Sequence, residues 1–152
     1  MPDISVSCRV ATSADYKSIK RLLVSCLLPP DDLEQVMADA GSLFIVAECD
    51  SRIIGSIGLQ QYGSDALIRS FAVDLYYRGG EVTAKLMKEL ERHARALKID
   101  SGYLLTTTIT NFLLRHGFER YDRVAVPDAI AKTEQFASVC PDSAVCLARK
   151  LT

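Results

Sequence analysis

The hydrophobic pattern of this chain changes period at one place, and that change limits the fold most. Ala66–Val73 (ALIRSFAV) reads as a strand, whereas Val82, Leu86, Leu90, Ala94 and Leu97 recur every three or four residues, as on a long amphipathic helix. Tyr77-Arg78-Gly79-Gly80 separates the two patterns, and Tyr103–Thr108 is the next strand. A strand, a Gly-rich loop, a helix and a strand form a crossover unit, which is expected to be right-handed. Such a unit needs a sheet with helices packed on it.

The remaining segments supply that sheet. Residues 6–11 read as a first strand. Thr12 or Ser13 caps a following helix with Ile19, Leu22, Leu23, Cys26 and Leu27 on one face, and Pro29-Pro30 stops it. A short helix after Asp31-Asp32 ends at Gly41. Ser42–Glu48, Ile53–Gln60 and Ala66–Val73, joined by turns, predict an antiparallel meander. A short helix over Thr110–His116, a strand from Phe118, a helix over Pro127–Phe136 and a last strand over Ala144–Ala148 complete the order. The expected class is α/β: a mixed, mostly antiparallel, twisted sheet with helices on both faces.

Composition narrows the function classes. The chain has 152 residues, the size of one domain, and no repeat or linker. Apolar residues at 49% and charged residues at 24% argue against disorder. Eighteen Lys plus Arg against nineteen Asp plus Glu argue against a nucleic-acid-coating protein. The first residues show no signal-peptide pattern and no apolar run is long enough for a span, so a soluble, cytoplasmic protein without a membrane partner is expected. Five Cys at irregular spacing, with no CxxC and with His93 and His116 remote from them, predict no zinc site and free thiols.

The Gly-rich loop carries the chemistry. Gly79 and Gly80 let backbone amides approach a ligand, the following helix offers unpaired N–H groups and the positive end of its dipole, and Arg78 adds a forked cation. Together they form a phosphate cradle; a plain chain reversal is the alternative. Neither GxxxxGK[ST] nor a GxGxxG after the first strand is present, which excludes the common nucleotide-binding motifs.

The stretch IRSFAVDLYYRGGEVTAKLMKELERHARALKI resembles the acetyl-CoA-binding core of the GNAT acyltransferase superfamily. LLTTTITNFLLRHGFERYDR resembles that superfamily's second half. The segments GLQQYGSDALIRSFAV, LLTTT, VPDAIAKTEQF and CPDSAVCLARKL further resemble the acetyltransferases encoded in bacterial arsenic-resistance gene clusters. The resemblance implies the GNAT fold, acetyl-CoA as co-substrate without a metal, a small-molecule amine as acceptor, and a homodimer. Phe71, Ala72 and Val73 would hold the pantetheine arm through their backbone. Arg78, Gly79, Gly80, Val82 and Thr83 would surround the phosphates, and Phe112 would pack against the pantetheine or the adenine. The acetyl group would enter between the strand ending at Val73 and that starting at Tyr103.

Three positions depart from the family pattern. Glu81 and Thr83 stand where Gly and Gly or Ala are usual. A carboxylate about 5 Å from a pyrophosphate costs about 3 kcal/mol at an effective dielectric near 20, unless Glu81 swings out and caps the helix. Leu113 stands where many members place a proton-donating Tyr, leaving Tyr103, Tyr62 or a water as donor. These departures keep a second possibility open, an acyl-CoA-binding module without catalysis.

Acyl transfer to an amine needs a group to take the amine's proton. Glu48, the one carboxylate of SLFIVAE, is either that base acting through water or a solvated strand-end charge. Arg69, on an otherwise uncharged strand and by alternation on the same face as Leu67 and Phe71, either clamps a substrate anion or pairs with a nearby carboxylate. Ser70 adjoins it. Thr107 and Thr108 end the strand after the long helix, and Gln60 and Tyr62 end the opposite hairpin, all placed to line a cleft. Phe136 walls the substrate pocket or belongs to the core. A metalloid-binding role for the thiols is the remaining alternative to their being small buried hydrophobes.

Overall fold

A computed structural model describes residues 5–77 and 80–151. The strands are β1 (Ser7–Val10), β2 (Ser42–Cys49), β3 (Arg52–Tyr62), β4 (Asp65–Val73), β5 (Ser101–Thr106), β6 (Glu119–Arg120) and β7 (Val145–Lys150). The helices are α1 (Tyr16–Ser25), α2 (Leu33–Met37), α3 (Glu81–Ala96), α4 (Thr110–Leu114) and α5 (Asp128–Ala131). One seven-stranded sheet runs in the order β1-β2-β3-β4-β5-β7-β6. All pairs are antiparallel except β4 with β5. No helix among the described residues is long and apolar enough to cross a membrane.

Both faces are covered, as the alternating pattern requires. On one face α3 buries Val82, Leu86, Leu90 and Ala94 at the spacing read from the sequence, with Met87 beside them, whereas Leu97, expected on the same stripe, lies past the helix end and is exposed. It lies close because Gly55 of β3 has no side chain: a Cβ there would stand 3.0 Å from both Val82 and Leu86. Leu113 of α4 joins the same core. On the other face α1 and α2 bury Ile19, Leu22, Leu23, Leu33 and Val36 over Phe44, Val46 and Ala72. Farther along that face, Leu67 and Tyr103 pack with Ile130 and Phe136.

Two expected elements end early. The strand begun near Tyr103 stops at Thr106, whose Oγ1 accepts the N–H groups of Thr108 (3.3 Å) and Ile109 (3.2 Å) and turns the chain. The helix expected over Pro127–Phe136 is broken into α5 and a wide π turn over Gln135–Val139. Thr133 lies at the break: its hydroxyl donates to the Ile130 carbonyl at 2.7 Å and accepts from the Phe136 amide at 3.4 Å. A Thr hydroxyl that serves the backbone in this way competes with regular helical bonding.

The sheet carries one irregularity that matters for function. Along β3 and β4, Ser56 opposes Ala72 but Gly58 opposes Arg69, so β4 contains one extra residue. Ser70 takes up the excess with a φ of 53°, and its carbonyl accepts the Ser56 hydroxyl at 2.7 Å. An extra residue inverts the alternation beyond it. Ala66 and Ile68 therefore share the α3 face with Phe71 and Val73, while Leu67 and Ala72 pack on the opposite face. This corrects the expectation that Arg69 and Phe71 lie on one face.

β4 and β5 pair only through Asp65–Ser101, Ala66–Gly102 and Leu67–Tyr103, and then part ahead of the bulge. Left-handed backbone is costly for a β-branched residue and free for glycine. Ser70→Gly is therefore expected to keep or raise the stability. Ser70→Val should lose about 1–3 kcal/mol, read by chemical denaturation of the two variants side by side.

Candidate functional site

The parting strands open a cleft. Beyond Leu67 its walls are Phe71, Ala72 and Val73 of β4 and Thr108, Ile109 and Phe112 at the start of α4. Gly80 and Thr83, at the N-terminal end of α3, close one end, and the cavity measures about 460 Å³. Gly80 has a φ of 95° and its carbonyl accepts the Ala84 amide at 2.9 Å, starting the helix. The first-turn amides of α3 have no partner within the helix, and the helix dipole is positive there. The Val82 side chain is buried in the core, so any contribution to a ligand comes from its backbone. Arg78 and Gly79 lie outside the described residues.

Glu81 is turned away from this cleft. Its carboxylate is 72% exposed and 3.9 Å from Lys85 Nζ, one turn along the helix. The repulsion a phosphate would feel from an inward carboxylate does not arise in this arrangement. A charged carboxylate in the first turn also favours the helix.

The cleft includes residues that the sequence did not single out: Cys26, Leu28, Arg115 and His116. His116 stacks on Phe112 with ring centres 4.2 Å apart and planes at 18°, and its Nδ1 lies 2.8 Å from the Phe112 carbonyl. The i, i+4 spacing of Phe112 and His116 on a helix was the available signal. Cys26 ends α1 and donates its thiol to the Val73 carbonyl at 3.5 Å, which ties α1 to the end of β4. Only the folded topology brings these two residues together.

A smaller apolar pocket continues the cleft into the split. It shares Leu28, Phe71, Thr108 and Ile109 with the main cavity and ends on Ile68, Leu104 and Leu113. Leu113, where a proton-donating Tyr was the family expectation, is 1% exposed and belongs to the core.

The other face of the split is polar. Arg69 is engaged by a carboxylate, one of the two alternatives open from the sequence. Its Nη1 and Nη2 donate to Asp32 Oδ2 (2.7 Å) and Oδ1 (2.5 Å), and the two side chains are 1% and 2% exposed. Arg69 Nε also donates to Ser70 Oγ at 3.2 Å, and Gln135 Nε2 donates to Asp32 at 3.3 Å. Burial by itself would raise the Asp32 pKa. The Arg69 hydrogen bonds, the Arg69 charge and the Gln135 amide outweigh it and hold the carboxyl below its ordinary value.

Beside this pair, Gln60, Tyr62, Asp39, Lys132 and Glu134 line a pocket of about 360 Å³. Gln60 donates to the Tyr62 hydroxyl at 3.3 Å. Burial, with the Asp39 charge, pushes the Tyr62 phenol up, so it stays protonated at neutral pH.

Other candidates lie elsewhere. Glu48 is paired with Arg9 in a separate groove shared with Asp15, Arg52 and Asp74. It is not brought to the cleft. Tyr103 joins the last β4–β5 pair, but its ring lies on the α5 face, edge-on to Tyr121 at 5.3 Å. Burial first, then Asp65 and Tyr121, raise its pKa. Phe136 is buried in the same cluster, with the Arg123 guanidinium 5.8 Å from its ring. Both Thr107 and Thr108 are exposed, but only Thr108 lines the cleft and its extension.

Burial raises the thiols of Cys8, Cys140 and Cys146, the last to about 11, which keeps them protonated at neutral pH. Among the described residues no three His, Cys, Asp or Glu side chains are grouped as metal ligands.

The comparisons with known proteins agree with this geometry. Residues 40–120, just over half of the chain, match the acetyltransferase (GNAT) domain family, and the chain belongs to it. Among curated proteins none matches.

Of the solved structures that are similar, N-acetylglutamate synthase from Neisseria gonorrhoeae, complexed with coenzyme A and N-acetyl-glutamate, superposes with a TM-score of 0.80 at 21% identity. That match covers 99% of this chain but 36% of the synthase, so this chain spans about a third of that protein. An acetyltransferase of the GNAT family from Staphylococcus aureus Mu50 matches with a TM-score of 0.78 at 19% identity, over 97% of this chain and all of the other. The PaiA N-acetyltransferase from Thermoplasma acidophilum, in complex with coenzyme A, matches with a TM-score of 0.73 at 15% identity, over 97% and 99% of the two chains. At these identities the likeness is one of fold.

The buried pair gives a direct test of how the polar face is built. Removing one partner of a buried ion pair leaves an uncompensated charge and costs about 3–5 kcal/mol, whereas replacing both with apolar residues of similar size is often neutral. Asp32→Ala is expected to lose that amount, and Asp32→Leu with Arg69→Met to recover most of it, in urea unfolding. Because the Asp32 pKa is lowered on folding, its contribution is complete above the unfolded value near 4 and fades as pH falls below it. The wild type should therefore lose more stability than the double variant on acidification from pH 5 to pH 3.

Proposed function

We propose that the protein transfers an acetyl group from acetyl-CoA to the amine of a small molecule, by direct attack within a ternary complex. The observation that carries this reading is the cleft between β4 and β5, which runs from the start of α3 past Phe71–Val73 and narrows into an apolar end. The cofactor's phosphates would meet the amides around Gly80 and Thr83, with Arg78 and Gly79 beside them. The pantetheine arm would follow the backbone of Phe71, Ala72 and Val73. Phe112 and His116 would flank the nucleotide end. The relatives crystallised with coenzyme A support the choice of cofactor.

The acceptor would approach from the polar pocket of Gln60 and Tyr62, which Asp32 lines; Arg69 and Ser70 would act from behind it, Arg69 through its bonds to Asp32 and Gln60. One similar structure is that of N-acetylglutamate synthase holding N-acetyl-glutamate, and a small amine-bearing metabolite is the class of acceptor that fits a pocket of this size. The amine nitrogen attacks the thioester carbonyl carbon, the N–C bond forms, the C–S bond breaks and the thiolate departs. The amine proton passes to water, since neither Glu48 nor Tyr103 lies at the cleft. Catalysis on this reading comes from positioning and from fixed dipoles around the carbonyl. The protein would act as a homodimer in the cytoplasm, and its sequence keeps the likeness to acetyltransferases of arsenic-resistance clusters.

Thermal melting with and without acetyl-CoA tests the reading. A ligand at one hundred times its Kd adds about 2.7 kcal/mol, a shift of several degrees. Wild type should show it, and Glu81→Gly should bind no more tightly, because Glu81 already points outward. A screen of amines for thiol release then decides transfer. Binding without release from any amine would leave a ligand-binding module and reject the enzyme reading.

A further inference from the structure

The hydrogen bonds behind the polar pocket have a fixed direction, and that direction selects a ligand. We infer that the Tyr62 hydroxyl and the Lys132 ammonium form a subsite for a carboxylate, so that the acceptor is an amine that also bears one. This rests on the proposal that the pocket receives the acceptor of an acetyl transfer.

The direction is set from the buried ion pair outward. Arginine carries only donors, so the Gln60 atom that meets Arg69 Nη1 at 3.4 Å is its oxygen. The Gln60 amide nitrogen is left for Tyr62 and donates to the phenol oxygen at 3.3 Å. The phenol is therefore an acceptor toward Gln60, and its own proton is available to a ligand. Among the described residues no group accepts that proton. Burial, with the Asp39 charge, keeps it on the oxygen at neutral pH. A fixed donor on a pocket wall selects a ligand that brings an oxygen to it.

A second donor makes that oxygen an ionised one. Lys132 lines the same pocket and forms no ion pair among the described residues. An ammonium beside a hydroxyl favours a carboxylate over a neutral carbonyl. Ser42 opposes Gln60 across β2 and β3 and so shares its face, and its buried Oγ has no partner among the described residues. Arg69 is not available as the receptor. Both of its terminal nitrogens are held by Asp32, which an incoming carboxylate would have to displace.

The remaining charges define the rest of the ligand. Asp39, whose Oδ1 accepts the Gly41 amide at 3.2 Å, and Glu134 put negative charge on the same pocket. A simple anion is repelled by them, and a simple amine leaves Tyr62 and Lys132 unused. A molecule carrying an ammonium and a carboxylate answers both.

The test measures thiol release from acetyl-CoA with the common L-amino acids, their α-amides and putrescine. Binding of the same compounds in the presence of CoA is read separately by thermal melting. At least one amino acid should exceed its own amide in kcat/KM by about tenfold or more, the scale of one hydrogen bond to a charged group. Tyr62→Phe and Lys132→Met should each cut that ratio by about tenfold, through KM rather than kcat. A loss of structure would lower amino acid and amide together and leave the ratio. Lys132 is exposed, so its replacement does not threaten the fold, and Lys132→Arg should keep the preference. A preference for the amides or for putrescine overturns the subsite, as do folded variants that retain the wild-type ratio. If no compound releases thiol but an amino acid raises the melting temperature and its amide does not, the transfer reading falls and the subsite stands. If neither occurs, the subsite falls.

Discussion

One residue too many in β4 shapes the functional half of this molecule. The bulge at Ser70 reverses the faces of the strand. Arg69 is thereby directed to the α2 side and Phe71 to the α3 side, two residues apart in sequence and on opposite faces of the sheet. β5 pairs with β4 only ahead of the bulge, so the strands diverge where the faces switch. A regular β4 would have put Arg69 and Phe71 on one face, mixing a buried charge with the apolar wall of the cleft. The bulge thus separates the apolar wall of the cleft from the polar Arg69 network within a single strand.

The polar side then needs its own solution, because a guanidinium under two helices is costly unless it is paired. Asp32, just before α2, and Gln60 of β3 accept from it, and Gln135 of the π turn after α5 donates to Asp32. Three separate segments converge on one ion pair. That convergence fixes α2 and the turn after α5 against the sheet and defines the shape of the pocket between them. A buried network of this kind contributes less to net stability than to the choice of one arrangement over others, which is what a substrate pocket needs.

Much of this was legible in the sequence, and the failures have physical reasons. The 3.6-residue period gave α3, and the short β-rich runs gave the meander, because both elements bury one face against a large core. The bulge left no trace, since Ser70 sits in an ordinary strand-like run and its left-handed backbone is imposed by the Ser56 bond and by the neighbouring strands. The partner of Arg69 is 37 residues away, so an ion pair was foreseeable and its carboxylate was not. The break after α5 depends on one Thr133 hydroxyl choosing the backbone. Cys26 and Leu28 reach the cleft only because α1 ends against Val73. Glu48 read as a candidate base because it was the lone carboxylate of its strand, but Arg9 on the neighbouring edge strand claims it.

The cleft also explains how the fold persists in relatives that share only 15–21% of their residues with this chain. The main cleft is walled by the edge of β4, the first turn of α3 and the turn into α4. Side chains there stay clear of the cleft or are small, Glu81 facing Lys85 and Thr83 lining the wall. The end of the cleft is different. Its shape is set by Ile68, Leu104 and Leu113, and those side chains are fixed by Gly102, Leu151 and the core beneath α3. The backbone-walled part of the cleft is therefore tolerant of sequence change, whereas the shape of its apolar end depends on a few buried residues.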